Sequence, residues 1–249
     1  MLESVQSEAT HGVDVWRVSV ATQVHAFAHH WRQLDAGERQ HASSCHNEAD
    51  RLRYAISRGT LRALLGQRLQ IEPARVTFGS GEFGKPFVSA QHRLHFNTSN
   101  SGDWVLHGLS SATPLGVDVE ALLPDPLELE EFDRVLARQE RNHLLSLPTA
   151  RRSAAFIDFW VCKEAYVKAI GQGLNRALRD ICIGPLEGGG YELLHDRNPG
   201  GSGGAWTLVM IDLGPTHAGC LAHPGPPRRL RIRDYTDDPH VAAPRMAAA

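Results

Sequence analysis

Leu115-Gly116-Val117-Asp118-Val119-Glu120 is the stretch that decides how this chain is read. Successive side chains of a strand point to opposite faces, so Asp118 and Glu120 share one face while Val117 and Val119 share the other. Two carboxylates at neighbouring same-face positions offer hard oxygens suited to Mg²⁺, whose octahedral shell usually takes one or two carboxylates with phosphate and water. On its own the pattern would serve equally well as a solvated strand face paired with Arg or Lys.

Two further segments carry chemistry. In Phe156-Ile-Asp-Phe-Trp-Val-Cys-Lys-Glu-Ala-Tyr-Val-Lys-Ala-Ile170, the helical period gathers Phe156, Phe159, Trp160, Val167 and Ile170 into an apolar stripe. Lys163 falls near the middle of that stripe, with Glu164 at its edge and Lys168 beyond. A buried unpaired ammonium costs several kcal/mol, so Lys163 needs a partner or access to water. A substrate phosphate would supply one; so would a structural ion pair with Glu or Asp, or a stem that snorkels to solvent. Upstream lie Phe83-Gly84-Lys85-Pro86-Phe87 and His95-Phe-Asn-Thr-Ser-Asn-Ser-Gly102. Here Gly84 permits close backbone approach, Lys85 is a point charge, and a Ser99-Asn100-Ser101-Gly102 turn offers hydroxyl, amide and backbone donors to a phosphate. Gly79-Ser-Gly-Glu-Phe-Gly84 matches the dinucleotide fingerprint formally, but that fingerprint must open a helix, and Lys85-Pro86-Phe87-Val88 reads as extended.

Outward from these segments, β-branched content predicts a strand over Val13–Val20. A helix carrying Leu52, Ile56, Leu61, Leu64, Leu65 and Leu69 follows and ends near Pro73. Strands are expected at Val76–Phe78, Leu94–Thr98 and Trp104–Leu109, and Ser110–Pro114 marks a boundary. The second part adds a charged helix over Pro126–Leu147, with Arg134, Arg138 and Arg141 along one face, and a helix over Ser153–Ile170 closed by Gly171. Strands near Tyr191 and over Trp206–Leu213 complete it, with a hairpin loop at Asn198–Gly204. The expected class is α+β, as two similar units over 1–112 and 113–223, and the Pro-, Ala- and charge-rich 224–249 reads as a poorly ordered tail.

Composition bounds the function. With 42% hydrophobic and 22% charged residues the 249-residue chain has the balance of a soluble globular protein, and its net charge of −2 gives no electrostatic reason to expect nucleic acid. No stretch approaches the roughly 20 apolar residues of a membrane span, and the N-terminus lacks a signal-peptide pattern, so a cytoplasmic protein is expected. Cys45, Cys162, Cys182 and Cys220 form no C-x-x-C pair and read as small apolar residues.

Taken together and in this order, Gly84-Lys85-Pro86, Phe96-Asn97-Thr98-Ser99-Asn100-Ser101, Gly116 to Glu120 and Trp160 to Lys168 resemble the surfactin-type 4′-phosphopantetheinyl transferases. The similarity runs from about Arg51 to Ala222. It departs at Asn100, where the family usually has a histidine that hydrogen-bonds a phosphate. The resemblance implies a monomer of two similar α+β halves, a pseudo-dimer within one chain, with the active site in the cleft between them. It further implies transfer of the 4′-phosphopantetheine arm of coenzyme A to a serine of an apo acyl or peptidyl carrier protein, releasing 3′,5′-ADP. Asp118, Glu120 and Glu164 would bind Mg²⁺ with the coenzyme A pyrophosphate. Lys85, Ser99, Lys163 and Lys168 would contact phosphates, with Pro86 and Asn100 on the same coenzyme A-binding segments. Arg51 and Arg53 are candidates for the 3′-phosphate. Glu140 matches a glutamate near the metal and joins Lys163 and Lys168 as a catalytic candidate, the serine proton going to Glu140, to neutral Lys163 or to a metal-bound water. The rival reading is a non-catalytic relative that binds coenzyme A or a carrier protein. Neither a nucleic acid nor a membrane is an expected partner.

Overall fold

The computed structural model describes residues 12–89, 92–122, 129–173, 176–197 and 204–236. The first half opens with strand β1 (Val13–Ser19). Ser19 ends it one residue before the expected limit, because its hydroxyl accepts the Thr22 N–H and caps the short helix α1 (Val20–Gln23). Two helices that the sequence reading did not assign follow, α2 (Phe27–Gln33) and α3 (Ala36–Ser43). A reciprocal capping box between Asp35 and Glu38 starts α3, a signature present in the sequence. The long helix α4 (Glu48–Leu69) is capped by Asn47 and closed by Gln70 in a left-handed conformation. Strands β2 (Gly79–Ser80) and β3 (Pro86–Phe87) form a small hairpin, so the strand expected at Val76–Phe78 forms just beyond it. Strands β4 (His95–Ser101) and β5 (Trp104–Ser110) complete the half. The expected Ser99–Gly102 turn is corrected: β4 continues through Ser101, and the chain reverses at Gly102, whose φ is +54°.

The second half begins with β6 (Gly116–Ala121). The single helix expected over Pro126–Leu147 is two, α5 (Leu129–Val135) and α6 (Arg138–Ser146), and 126–128 lie outside the described residues. They part at Leu136 and Ala137, both buried, where Glu140 accepts the Ala137 N–H and starts α6 afresh. Arg134 therefore sits on a different helix from Arg138 and Arg141. Helix α7 (Thr149–Ile170) begins before the expected Ser153 and ends, as expected, at Gly171 with φ +75°. It is buried on more than one stripe, Val161, Cys162, Ala165 and Tyr166 included, because it is the central helix of its half. Strands β7 (Ile181–Pro185), β8 (Tyr191–Asp196), β9 (Trp206–Asp212) and β10 (His217–Pro224) follow. Residues 198–203 of the expected hairpin loop lie outside the described residues.

Expectation and structure part most clearly after Pro224. Leu230–Asp234 forms β11, which pairs in parallel with β1, so the expectation of a poorly ordered tail is corrected for 225–236. Leu230 and Ile232 alternate with Arg231 and Arg233, a charged pattern suited to a sheet edge. Arg231 holds the buried Asp14 of β1, and Arg17 forks onto Asp234. Residues 237–249 lie outside the described residues.

Each half sets a 22-residue helix against a mainly antiparallel sheet: α4 on β11-β1-β5-β4, and α7 on β6-β10-β9. The two sheets meet through one apolar cluster, with Val13, Val15 and Leu106 from the first and Val117, Val119 and Leu221 from the second. Gly116 lets α7 lie directly on β6, since a Cβ there would collide with Ala165 O and Ala169 N. All four cysteines are free thiols, three of them buried. No helix among the described residues is long and apolar enough to cross a membrane.

A buried polar chain ties α4 to the first sheet. His107 of β5 bonds Thr60 of α4 through Nε2 at 2.8 Å and Thr98 of β4 through Nδ1 at 2.9 Å. Burial, helped by the charge of Arg58, pushes its pKa down to about 3. The folded pKa lies below the ordinary 6.5, so the unfolded chain binds the extra proton between these values and stability is lost as pH falls through that window. We expect His107→Asn to remove about 1.4 kcal/mol per pH unit of that loss. Urea unfolding of both proteins at pH 7 and pH 5 checks it; parallel pH dependence would refute it.

Candidate functional site

Strands β4 and β6 belong to different sheets, yet side chains stitch them together. Asn97, Ser99 and Ser101 share one face of β4 by the strand period. Asn97 Oδ1 accepts the Val117 N–H at 2.8 Å. Ser99 Oγ donates to Asp118 Oδ1 at 2.8 Å, and Ser101 Oγ donates to Glu120 Oε2 at 2.9 Å while accepting the Ala121 N–H at 3.1 Å. This ladder presents the carboxylates of β6 toward α7. Lys168 of α7 closes the arrangement, its Nζ donating to Asp118 Oδ1 at 2.6 Å and to Ser99 Oγ at 3.0 Å.

The electrostatics suit a cation. Burial raises the pKa of Asp118, opposed first by Lys168 and then by the hydrogen bonds to it, with the Val119 N–H the smallest favourable influence. Burial likewise raises Glu120, against the Ser101 hydrogen bond, and the Asp118 charge adds to the rise. Glu164 is raised by burial and then by Asp118, with Lys168 opposing and Glu120 adding. Glu120 and Glu164 thus both feel the charge of Asp118, with Lys168 as the cation common to all three. Asp118 Oδ2 is buried and has no donor at hydrogen-bonding geometry. Among the described residues no three His, Cys, Asp or Glu side chains are grouped to hold a metal ion by themselves. A cation here would draw on Asp118 Oδ2 and its neighbours together with oxygens from a ligand and water, the mixed shell that Mg²⁺ favours.

Other expected site residues stand elsewhere. Lys163 and Glu140 do not reach the carboxylates of β6; they pair with each other at 2.5 Å, both fully buried. Lys163 also donates to Val135 O at 2.7 Å and Leu178 O at 3.0 Å, so its three N–H groups are all used and none remains for a phosphate. Glu140 accepts the Ala137 and Ile183 N–H groups as well, at 2.6 and 2.7 Å. The pair thus ties α6, α7 and β7 together, the structural ion pair that the sequence had left open beside a phosphate contact. Lys85 is likewise occupied by protein groups, its Nζ donating to Leu115 O at 3.0 Å, Lys168 O at 2.6 Å and Ala169 O at 3.2 Å. Burial lowers its pKa to about 8.

Pro86 lines a cavity of about 280 Å³ with Phe87, His95 and Phe96. A larger cavity, about 640 Å³ beside Arg17, Trp104 and Asp234, contains none of the expected residues. Arg53 pairs with Asp50 and donates to Gly102 O at 3.4 Å, which brings it to the end of the β4–β5 turn. Arg51 instead stacks near Phe27 and pairs loosely with Glu48. Asn100 is exposed on the opposite face of β4 from Ser99 and Ser101, the face on which Thr98 reaches His107 and α4. Asn97 has no expected role and Ser101 only that of a hydroxyl donor in the expected turn; the period-2 spacing of Asn97, Ser99 and Ser101 is the signal that sets both beside Ser99 against β6.

Comparison with known proteins covers both halves. Residues 17–111 match the family model described as 4′-phosphopantetheinyl transferase, N-terminal, and residues 114–218 match that of the 4′-phosphopantetheinyl transferase superfamily. The chain is 31% identical to the 4′-phosphopantetheinyl transferase HetI of Nostoc sp. over 180 residues, 70% of this chain and 76% of that one. Identity to the 4′-phosphopantetheinyl transferase ffp of Bacillus subtilis is 28% over 204 residues, 81% and 88% of the two chains. A putative 4′-phosphopantetheinyl transferase of Synechocystis sp. is 36% identical over 134 residues, so that this chain spans 53% of its own length and 54% of that relative's.

The Lys163–Glu140 pair yields a direct test. Removing one partner of a buried ion pair leaves the other uncompensated, so Glu140→Gln and Lys163→Met should each lose about 3–5 kcal/mol of stability, and the double variant less than their sum. Chemical unfolding of the four proteins measures this. Additive losses, or singles as stable as the parent, would show the pair is not closed as described.

Proposed function

The chain belongs to the 4′-phosphopantetheinyl transferase family, and on that premise we propose that it moves the phosphopantetheine arm of coenzyme A to a serine of an apo acyl or peptidyl carrier protein at the seam between its halves. The observation that carries this reading is the Asp118 carboxylate, bonded on one oxygen by Lys168 and Ser99 and buried without a donor on the other. An orphaned buried carboxylate oxygen asks for a cation, and the neighbouring Glu120 and Glu164 supply further negative charge. In this reading Asp118, Glu120 and Glu164 hold Mg²⁺, which when bound would neutralise charge on the coenzyme A pyrophosphate.

The reaction asks mainly for positioning and charge neutralisation. The serine oxygen forms a bond to the β-phosphorus, the bond from that phosphorus to the bridging oxygen breaks, and 3′,5′-ADP leaves with the electron pair. Lys168, held against Asp118 and Ser99, is the residue of α7 able to offer N–H donors to phosphate oxygens as charge shifts. Glu140 and Lys163 are each closed in their pair, so in this reading the serine proton passes to water at the seam. Arg53 and Asn100, beside the β4–β5 turn, are assigned to the coenzyme A side. Both halves contribute to one seam, which favours a monomer, and four free cysteines suit a reducing cytoplasm. No nucleic acid or membrane enters this reading.

Mixing the protein with apo carrier protein, coenzyme A and Mg²⁺ and reading the intact mass of the carrier tests the transfer; coenzyme A binding without a mass gain would instead support a non-catalytic binder. Asp118→Ala, Glu120→Ala and Glu164→Ala should each lower the transfer rate by about 10²-fold or more. Undiminished transfer by any folded variant would sink the ligand set. Asn100 keeps N–H donors but is always neutral, so Asn100→His should lower the coenzyme A KM, more strongly below about pH 6.5 where imidazole gains a proton. A KM that does not change across that pH range removes Asn100 from the coenzyme A contacts.

A further inference from the structure

Lys85 projects from the β2–β3 hairpin of the first half, yet its ammonium lies against the second. Two of its acceptors, Lys168 O and Ala169 O, are carbonyls of the last turn of α7, where no following N–H continues the helix. Gly171 satisfies only Val167 O, at 3.0 Å. A cation at a helix C-terminus is also favoured by the helix dipole. The third acceptor, Leu115 O, belongs to the residue that leads into β6. At Gly116 the two elements are in backbone contact, so the ammonium sits at the junction of helix end and strand start.

Lys168 is therefore held at both ends. Its carbonyl is fixed by Lys85, and its own Nζ rests on Asp118 and Ser99. We propose that Lys85 is a positioning residue, which sets the distance between Lys168 and Asp118 by locking the end of α7 to the start of β6, and which does not contact the phosphates of the substrate. The inference rests on the reading of Lys168 and Asp118 as the reaction centre. A phosphate contact would require Lys85 to surrender one of three carbonyls that would then be left without a donor.

The two roles separate in Lys85→Met and Lys85→Arg. A lost strut misplaces Lys168, so Lys85→Met should lower kcat about 10- to 100-fold while the calorimetric Kd for coenzyme A stays close to that of the parent. Amide exchange at Gly171 and its neighbours should quicken, which Asp118→Ala should not reproduce. The planar fork of arginine does not fit a socket built for a compact ammonium, so Lys85→Arg should also lose kcat and protection at the helix end. A phosphate contact predicts the reverse: Lys85→Met raises the coenzyme A Kd tenfold or more with exchange at α7 unchanged, and Lys85→Arg is nearly as active as the parent. That pattern overturns the proposal. If Lys85→Met does not fold, Lys85→Arg alone decides by the same readouts. If the parent transfers nothing to a carrier, the functional reading fails, while exchange at Gly171 still reports whether Lys85 holds the helix.

Discussion

The interaction on which the arrangement depends is the side-chain ladder from β4 to β6. Backbone pairing ends within each sheet, so the halves meet through an apolar cluster, which is non-directional, and through Asn97, Ser99 and Ser101, which are directional. The apolar cluster supplies contact without a unique register. The ladder supplies register, since each of its three side chains meets a definite partner on β6. A one-residue slip would turn Asp118 and Glu120 away from α7 and bring Val117 and Val119 against it.

Two lysines of one helix illustrate how surroundings divide similar groups. Lys163 and Lys168 both face acids, but Glu140 answers the first with every remaining acceptor and donor filled, whereas Asp118 answers the second with one oxygen left over. A closed buried pair holds structure and offers a ligand nothing. An open one, with Lys168 partly exposed, retains capacity for a cation on one side and for an anion on the other. Backbone carbonyls likewise fill the three donors of Lys85.

The return of the chain to its starting sheet adds a second constraint on the seam. β11 crosses from the second half to pair with β1, held by Asp14 between Arg68 and Arg231, with Tyr235 packed edge-on to Trp16. The halves are thereby linked twice, once through Ser110–Pro114 and once through the segment after Pro224, which limits how far the sheets can part.

What the sequence determined alone is what short-range physics controls. The alternation from Leu115 to Glu120 sets Asp118 and Glu120 on one face, the apolar spacing before Gly171 makes a helix and glycine ends it, and the order of the motifs names the family. Tertiary structure alone decided which lysine is available, whether residues 126–147 form one helix or two, and that the residues after Pro224 form a strand. In each case the deciding partner is distant or is a backbone group, as when Glu140 takes the Ala137 N–H and restarts the helix. Lys163 and Lys85 are consumed by backbone carbonyls of Val135, Leu178, Leu115, Lys168 and Ala169, and a carbonyl belongs to every residue, so no pattern of side chains marks it as a partner. Likewise β11 exists because β1, 217 residues away, offers it an edge and opposite charges, a circumstance that only the folded chain creates.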